Sequence, residues 1–97
     1  MFEKRTTEIT VDEIKLTIWT SIPRGMMEAA AIKGDVSLAE AVVLEWNIAG
    51  QSYEGHIFNK EPTRADFMAL PADTLVRLSI EIGKGIARMG KQKPGKQ

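Results

Sequence analysis

The sequence predicts an α+β fold in which an N-terminal antiparallel β-hairpin or small sheet packs with short helices and a C-terminal amphipathic helix. Two stretches carry that expectation. From Glu8 the apolar residues alternate, through Ile9 and Val11 and then Ile14, Leu16 and Ile18, the period of a half-buried strand. Near the other end Leu75, Leu78, Ile82, Ile86 and Met89 recur at intervals of three and four, one apolar stripe on a helix of about four to five turns.

Asp12-Glu13 breaks the phase between the two alternating runs, so a tight hairpin or one long bulged strand fits, and the hairpin is preferred. Ser21-Ile22-Pro23 then ends strand structure, because proline donates nothing to a ladder while its fixed φ suits the first turn of a helix. A short helix follows over Arg24 to Ile32, with Met26, Met27 and several alanines as helix formers and Gly34 as its cap. Ser37 and Glu40 are spaced as a capping box opening a helical turn over Leu38 to Ala41.

Val42, Leu44, Trp46 and Ile48 fall on alternate positions, which predicts a strand over 42–48; extension of the preceding helix through Trp46 is the competing reading. Residues 50–62 read as an irregular connection carrying a short strand over Tyr53 to Phe58. Thr63 with Asp66 forms a shorter-armed capping arrangement for a brief helix through Phe67, Met68 and Leu70, after which Pro71 restarts the chain. Gly83 and Gly85 each weaken the last helix by about 1 kcal/mol relative to alanine, so its final turns are expected to form against a partner. Residues 1–89 form one domain and residues 90–97 a flexible basic tail.

The chain has 13 basic and 13 acidic residues and a net charge of zero, distributed unevenly. Lys84, Arg88, Lys91, Lys93 and Lys96 all follow the last acid, leaving 8 basic against 13 acidic residues in the first 83. No cysteine is present, the N-terminus lacks the apolar stretch of a secretory signal, and no apolar run is long enough to span a bilayer. A cytoplasmic protein without a membrane role is the expectation.

Residues for catalysis are scarce. His56, the single histidine, reads as a surface or half-buried loop residue, and a zinc site has too few ligands. The pairs Gly83-Lys84, Gly90-Lys91 and Gly95-Lys96 lack the spacing of a phosphate-binding loop. Glu40 with Glu45, and Asp66 with Asp73, are accounted for as helix-cap and solvent-face residues, so neither an active site nor a cofactor is expected. The basic tail has the charge to touch nucleic acid but not the interleaved aromatics of a dedicated binder, and nucleic-acid binding is a minor alternative.

Protein binding is the expected activity, with Trp19, Met26, Met27, Ile86 and Met89 as the candidate contact residues. Trp46 is assigned to the core and Trp19 left open; the two methionines suit core filling, the first choice, or an adaptable apolar surface.

The layout resembles the small tail assembly chaperones of long-tailed bacteriophages and prophages. The resemblance rests on Ser21-Ile22-Pro23-Arg24-Gly25 closing a β-rich start, Val43-Leu44-Glu45-Trp46-Asn47-Ile48 before a glycine-bearing loop, the turn at Thr63 to Phe67, and Leu70-Pro71-Ala72-Asp73-Thr74-Leu75 opening the last helix. It implies a non-enzymatic protein that holds the long, aggregation-prone tape measure protein while tail tube subunits assemble around it. It further implies residence in the host cytoplasm and absence from the mature virion; the chain's modest expected stability and apolar helix faces also suggest self-association into a homo-oligomer. Many such genes shift frame near their end, for which the codons of Gly90-Lys91 and Gly95-Lys96 are candidates. A prophage or bacterial adaptor that binds another protein is the alternative.

Overall fold

The computed structural model describes residues 2–91, with side chains described as far as Arg88. The alternating N-terminal run folds as β1 (Thr6–Val11) and β2 (Ile14–Trp19), an antiparallel hairpin in continuous register from Thr6↔Trp19 to Val11↔Ile14. Its loop is Asp12-Glu13, with φ of 49° and 70°, so both residues are left-handed as a type I′ turn requires. The hairpin is therefore correct and the single bulged strand is not.

The next segment is α1 (Arg24–Lys33), whose end and the start of α2 (Asp35–Val42) meet at Gly34. Gly34 has φ 119° and ψ 178°, a conformation open essentially to glycine alone, and its N–H donates to the Ala31 carbonyl while its own carbonyl accepts from Leu38 N–H. One residue thus serves both helices. The expected capping box at Ser37 and Glu40 is not formed, because this abrupt turn starts α2 at Asp35, two residues before Ser37. The Ser37 hydroxyl instead accepts from Arg64 Nη1 at 3.3 Å.

At residues 42–48 helix and strand meet with no loop between them. Val42 ends α2, and β3 (Val43–Trp46) pairs antiparallel with β2 to complete a sheet in the order β1-β2-β3, with a bulge between Thr17 and Ile18. The expected strand is thus shorter, since Val43 turns extended only after donating the last helical bond to Ala39. In place of one strand over Tyr53 to Phe58 there is a small hairpin of β4 (Ser52–Tyr53) and β5 (His56–Ile57), reversed at Glu54-Gly55. α3 (Arg64–Ala69) opens with a complete capping box: the Asp66 N–H donates to Thr63 Oγ1 and the Thr63 N–H to the Asp66 carboxylate.

α4 (Ala72–Lys91) runs unbroken through Gly83 and Gly85, against the expectation that its final turns need a partner. A Cβ on Gly85 would lie 3.2 Å from Ile18 Cδ1 and 3.3 Å from Ile9 Cγ2, so this glycine lets the helix seat closely on the hairpin and recovers in packing what it lacks in propensity. Gly90 and Lys91, expected in the tail, belong to the helix; residues 92–97, the rest of that basic tail and the Gly95-Lys96 pair, lie outside the described residues.

The helices cover one face of the sheet. Ile9, Val11, Leu16, Ile18 and Trp46 point inward to meet Leu38, Val42, Phe67, Leu78 and Ile82. Trp46 packs edge-on against Phe58 and Phe67, at 5.6 and 5.3 Å between ring centres, and its Nε1 donates to the Asn59 carbonyl at 2.7 Å. Its assignment to the core is correct. On the other sheet face Glu8, Thr10, Lys15, Thr17 and Glu45 alternate outward toward solvent.

Candidate binding surface

α1 is built from good helix formers but contributes no buried residue. It lies against α2 and leaves Met26 51% and Ile32 86% exposed. Between the two helices runs an open groove of about 320 Å³, floored by Met26, Ala29, Ala30 and Ala41 and rimmed by Lys33 and Glu40. Core filling is therefore the wrong reading for Met26. Met27, the next residue around the helix, is half-buried against the core. Ile32, which is not among the contact residues singled out from the sequence, is more exposed than Met26. It is the last apolar residue before the cap and is out of phase with both Met26 and Met27.

The other candidates lie on different elements. Trp19, at the end of β2, is half-buried and tied down. Its Nε1 donates to Ser21 Oγ at 2.9 Å, the same oxygen accepts Arg5 N–H at 2.7 Å, and the Lys4 ammonium stands 4.8 Å from the ring centre. Those partners give Trp19 a local role in fastening the N-terminal segment to the sheet. Ile86 on α4 is half-buried at the core, and Met89, on the same helix, has a side chain outside the described ones. Among the four described candidates, Met26 alone is mainly exposed.

Among the described residues the polar group with the most bonds is Asp66, of which the sequence shows only the helix-capping role. Its side chain is fully buried, yet it accepts from His56 Nε2 at 2.6 Å, Asn59 Nδ2 at 3.0 Å, Thr63 N–H at 2.9 Å and Thr63 Oγ1 at 2.9 Å. Burial works to raise the Asp66 pKa and is outweighed by these bonds from His56, Asn59 and Thr63, which hold it well below the ordinary carboxylate range. One carboxylate thereby ties β5, the following loop and the start of α3 together. His56 is half-buried, as expected, and its ring also packs edge-on against Phe58 at 5.2 Å. The arrangement has the Asp–His half of a hydrolytic triad, but the hydroxyl in the cluster, Thr63 Oγ1, bonds the carboxylate and not the imidazole, so it is placed to cap a helix and not to be activated by His56. No link between His56 and Asp66 was readable, since nothing in a ten-residue separation across a turn signals contact.

A second cluster joins the hairpin to α4. Asp12 accepts from Thr74 Oγ1 at 3.0 Å and from the Arg77 guanidinium, and Arg77 also reaches Asp73. The Arg77 and Thr74 hydrogen bonds lower the Asp12 pKa, and the Asp12 bond raises that of Arg77.

Among the described residues no group of three or more histidines and carboxylates is gathered for a metal, and no helix is long and apolar enough to cross a membrane. Comparison with protein-family models, with curated proteins and with solved structures finds no match to this chain.

Proposed function

We propose that this chain is a non-enzymatic tail assembly chaperone of a long-tailed phage or prophage, holding the tape measure protein in the host cytoplasm while tail tube subunits assemble. The observation that carries the reading is α1: a ten-residue helix with an exposed methionine and isoleucine and no buried residue of its own. A helix that adds so little to its own core is kept for what it offers outward, and an apolar groove with a charged rim suits an amphipathic helical client. Each such contact is weak, and a long client engages many copies at once, so avidity supplies the hold and release remains easy. Met26 in the groove forms the contact, with Ile32 exposed on another side of the same helix and Met27 packed on the core behind.

The test is affinity capture of the tagged chain from cells producing the phage, followed by mass spectrometry, with an Ile32→Asp chain as control. Recovery of a very long helical tail protein with the wild-type chain and its loss with the variant supports the reading. Recovery of a host protein of another kind replaces it with an adaptor, and recovery of nucleic acid and ribosomal proteins moves the function to the basic C-terminus.

A further inference from the structure

The sheet has two edges, and they differ. β3 is four residues long and pairs with β2 across a bulge. β1 is six residues long, in unbroken register with β2, and carries no proline, no bulge and no charge turned to the inner face, the outward Glu8 being its one charged residue. Val11 and Ile14 flank a two-residue turn and so exchange hydrogen bonds, as do Ile9 with Leu16 and Thr7 with Ile18. The amides and carbonyls of Thr6, Glu8 and Thr10 therefore point away from the sheet.

We propose that β1 pairs antiparallel with β1 of a second copy, with Ile9 on the two-fold axis, to make one six-stranded sheet. The strand's own length and charges make it complementary to a second copy of itself in this register. Outward-pointing residues must oppose one another to bond, so only registers displaced by two residues are available. An axis at Glu8 would oppose two carboxylates, an axis at Thr10 would set Glu8 against Asp12 of the partner subunit, and an axis at Thr7 would engage only Thr6 to Glu8 of each β1; like charges directly opposite are destabilising. An axis at Ile9 instead pairs Glu8 with Thr10 of the partner subunit and brings Arg5 toward the partner's Glu13. On the inner face the same register sets Ile9 against Ile9 and Thr7 against Val11, extending the apolar layer under Gly85 of α4 from one copy to the next. The inference rests on β1 alone and is independent of the identity of any client.

The experiment uses the purified full chain and nothing else. Sedimentation equilibrium from micromolar to millimolar concentration is expected to show twice the 10.7 kDa chain mass. Thr10→Glu, which sets a second carboxylate against Glu8, raises the dimer Kd by roughly two- to thirtyfold over its two symmetric pairs, and Thr10→Lys lowers it by a similar factor. Both substitutions are on the solvent face, and unchanged far-UV circular dichroism confirms that the fold is kept. Amide exchange at Glu8 and Thr10 should slow as concentration rises. A monomer at every concentration, or a dimer indifferent to both substitutions, overturns the proposal. So does slowing at these amides only when a client peptide is added, which would give the edge to a client strand. Failure here leaves the capture of a tail protein untouched, and failure of that capture leaves the dimer untouched.

Discussion

His56 Nε2 lies 2.6 Å from Asp66 Oδ1, one group half-buried and the other wholly so, and this contact holds the β4–β5 hairpin against the start of α3. A buried carboxylate is tolerated only when its lone pairs are occupied, and Asp66 meets that condition with donors from three residues. Its pKa is lower folded than unfolded, so the folded state binds its proton less readily. The stability this contributes is present above about pH 4, the unfolded value, and is lost as pH falls below that. Asp66→Asn should cost about 1 to 3 kcal/mol at neutral pH and flatten the decline in stability below about pH 4. Urea denaturation of both chains between pH 7 and pH 2 measures both effects. Equal acid sensitivity in the variant would place the acid-labile group elsewhere.

The two interior glycines of α4 should respond to alanine with different signs. At Gly83 nothing lies within 4 Å of an added Cβ, so Gly83→Ala should stabilise by about 0.5 to 1 kcal/mol through helix propensity alone. At Gly85 the same Cβ meets Ile9 Cγ2 at 3.3 Å and Ile18 Cδ1 at 3.2 Å, and Ile18 is wholly buried with little room to turn. Gly85→Ala should therefore gain nothing or destabilise by about 1 kcal/mol, as overpacking does. Chemical denaturation of the pair decides it, and an equal gain at both would mean that α4 does not sit closely on the hairpin.

These glycines also mark where the sequence was legible and where it was not. The apolar stripe of α4, the alternation of β1 and β2 and the Thr63–Asp66 cap were readable because each depends on neighbours within about one turn or one strand. Gly85 was misread as a weakness because its compensation comes from Ile9 and Ile18, far off in sequence. The capping box assigned to Ser37 failed for a nearer reason: Gly34 starts α2 two residues before Ser37, and a glycine's dihedral angles are not written in the pattern around it. Of the candidate contact residues, Met26 is exposed where core filling was the first choice, and the exposed Ile32 was not singled out. A ten-residue helix with several alanines gives no clear sign of which side its neighbour α2 will cover.

The hairpin turn should tolerate improvement at one residue and not at the other. Asp12 and Glu13 both have positive φ, where Asp is tolerated and Glu is strained. Glu13→Gly relieves that strain without removing a described contact and should stabilise by about 0.5 to 1 kcal/mol. Asp12→Gly has less strain to relieve and removes the acceptor that Thr74 and Arg77 share, so it should fail to stabilise. Thermal denaturation of the two variants separates the explanations. A gain from both would show that the contact of the turn with α4 contributes nothing measurable.

The inner stripe of α4 and the outer apolar residues of α1 should behave oppositely when truncated or charged. Leu78 and Ile82 are buried between the sheet and α2, so Leu78→Ala or Ile82→Ala should each cost about 2 to 5 kcal/mol by leaving a cavity that the packed sheet cannot close. Ile32 is 86% exposed and meets no core residue, so Ile32→Asp should change stability by less than about 0.5 kcal/mol. Near the C-terminal end of α1 the added carboxylate opposes the helix dipole, which accounts for a few tenths of that allowance. Urea denaturation of the three variants is the measurement. A loss below about 1 kcal/mol at Leu78 or Ile82 would place the stripe outside the core. A large loss at Ile32→Asp would show that α1 is held by contacts of its own and would remove it as a surface free for a client.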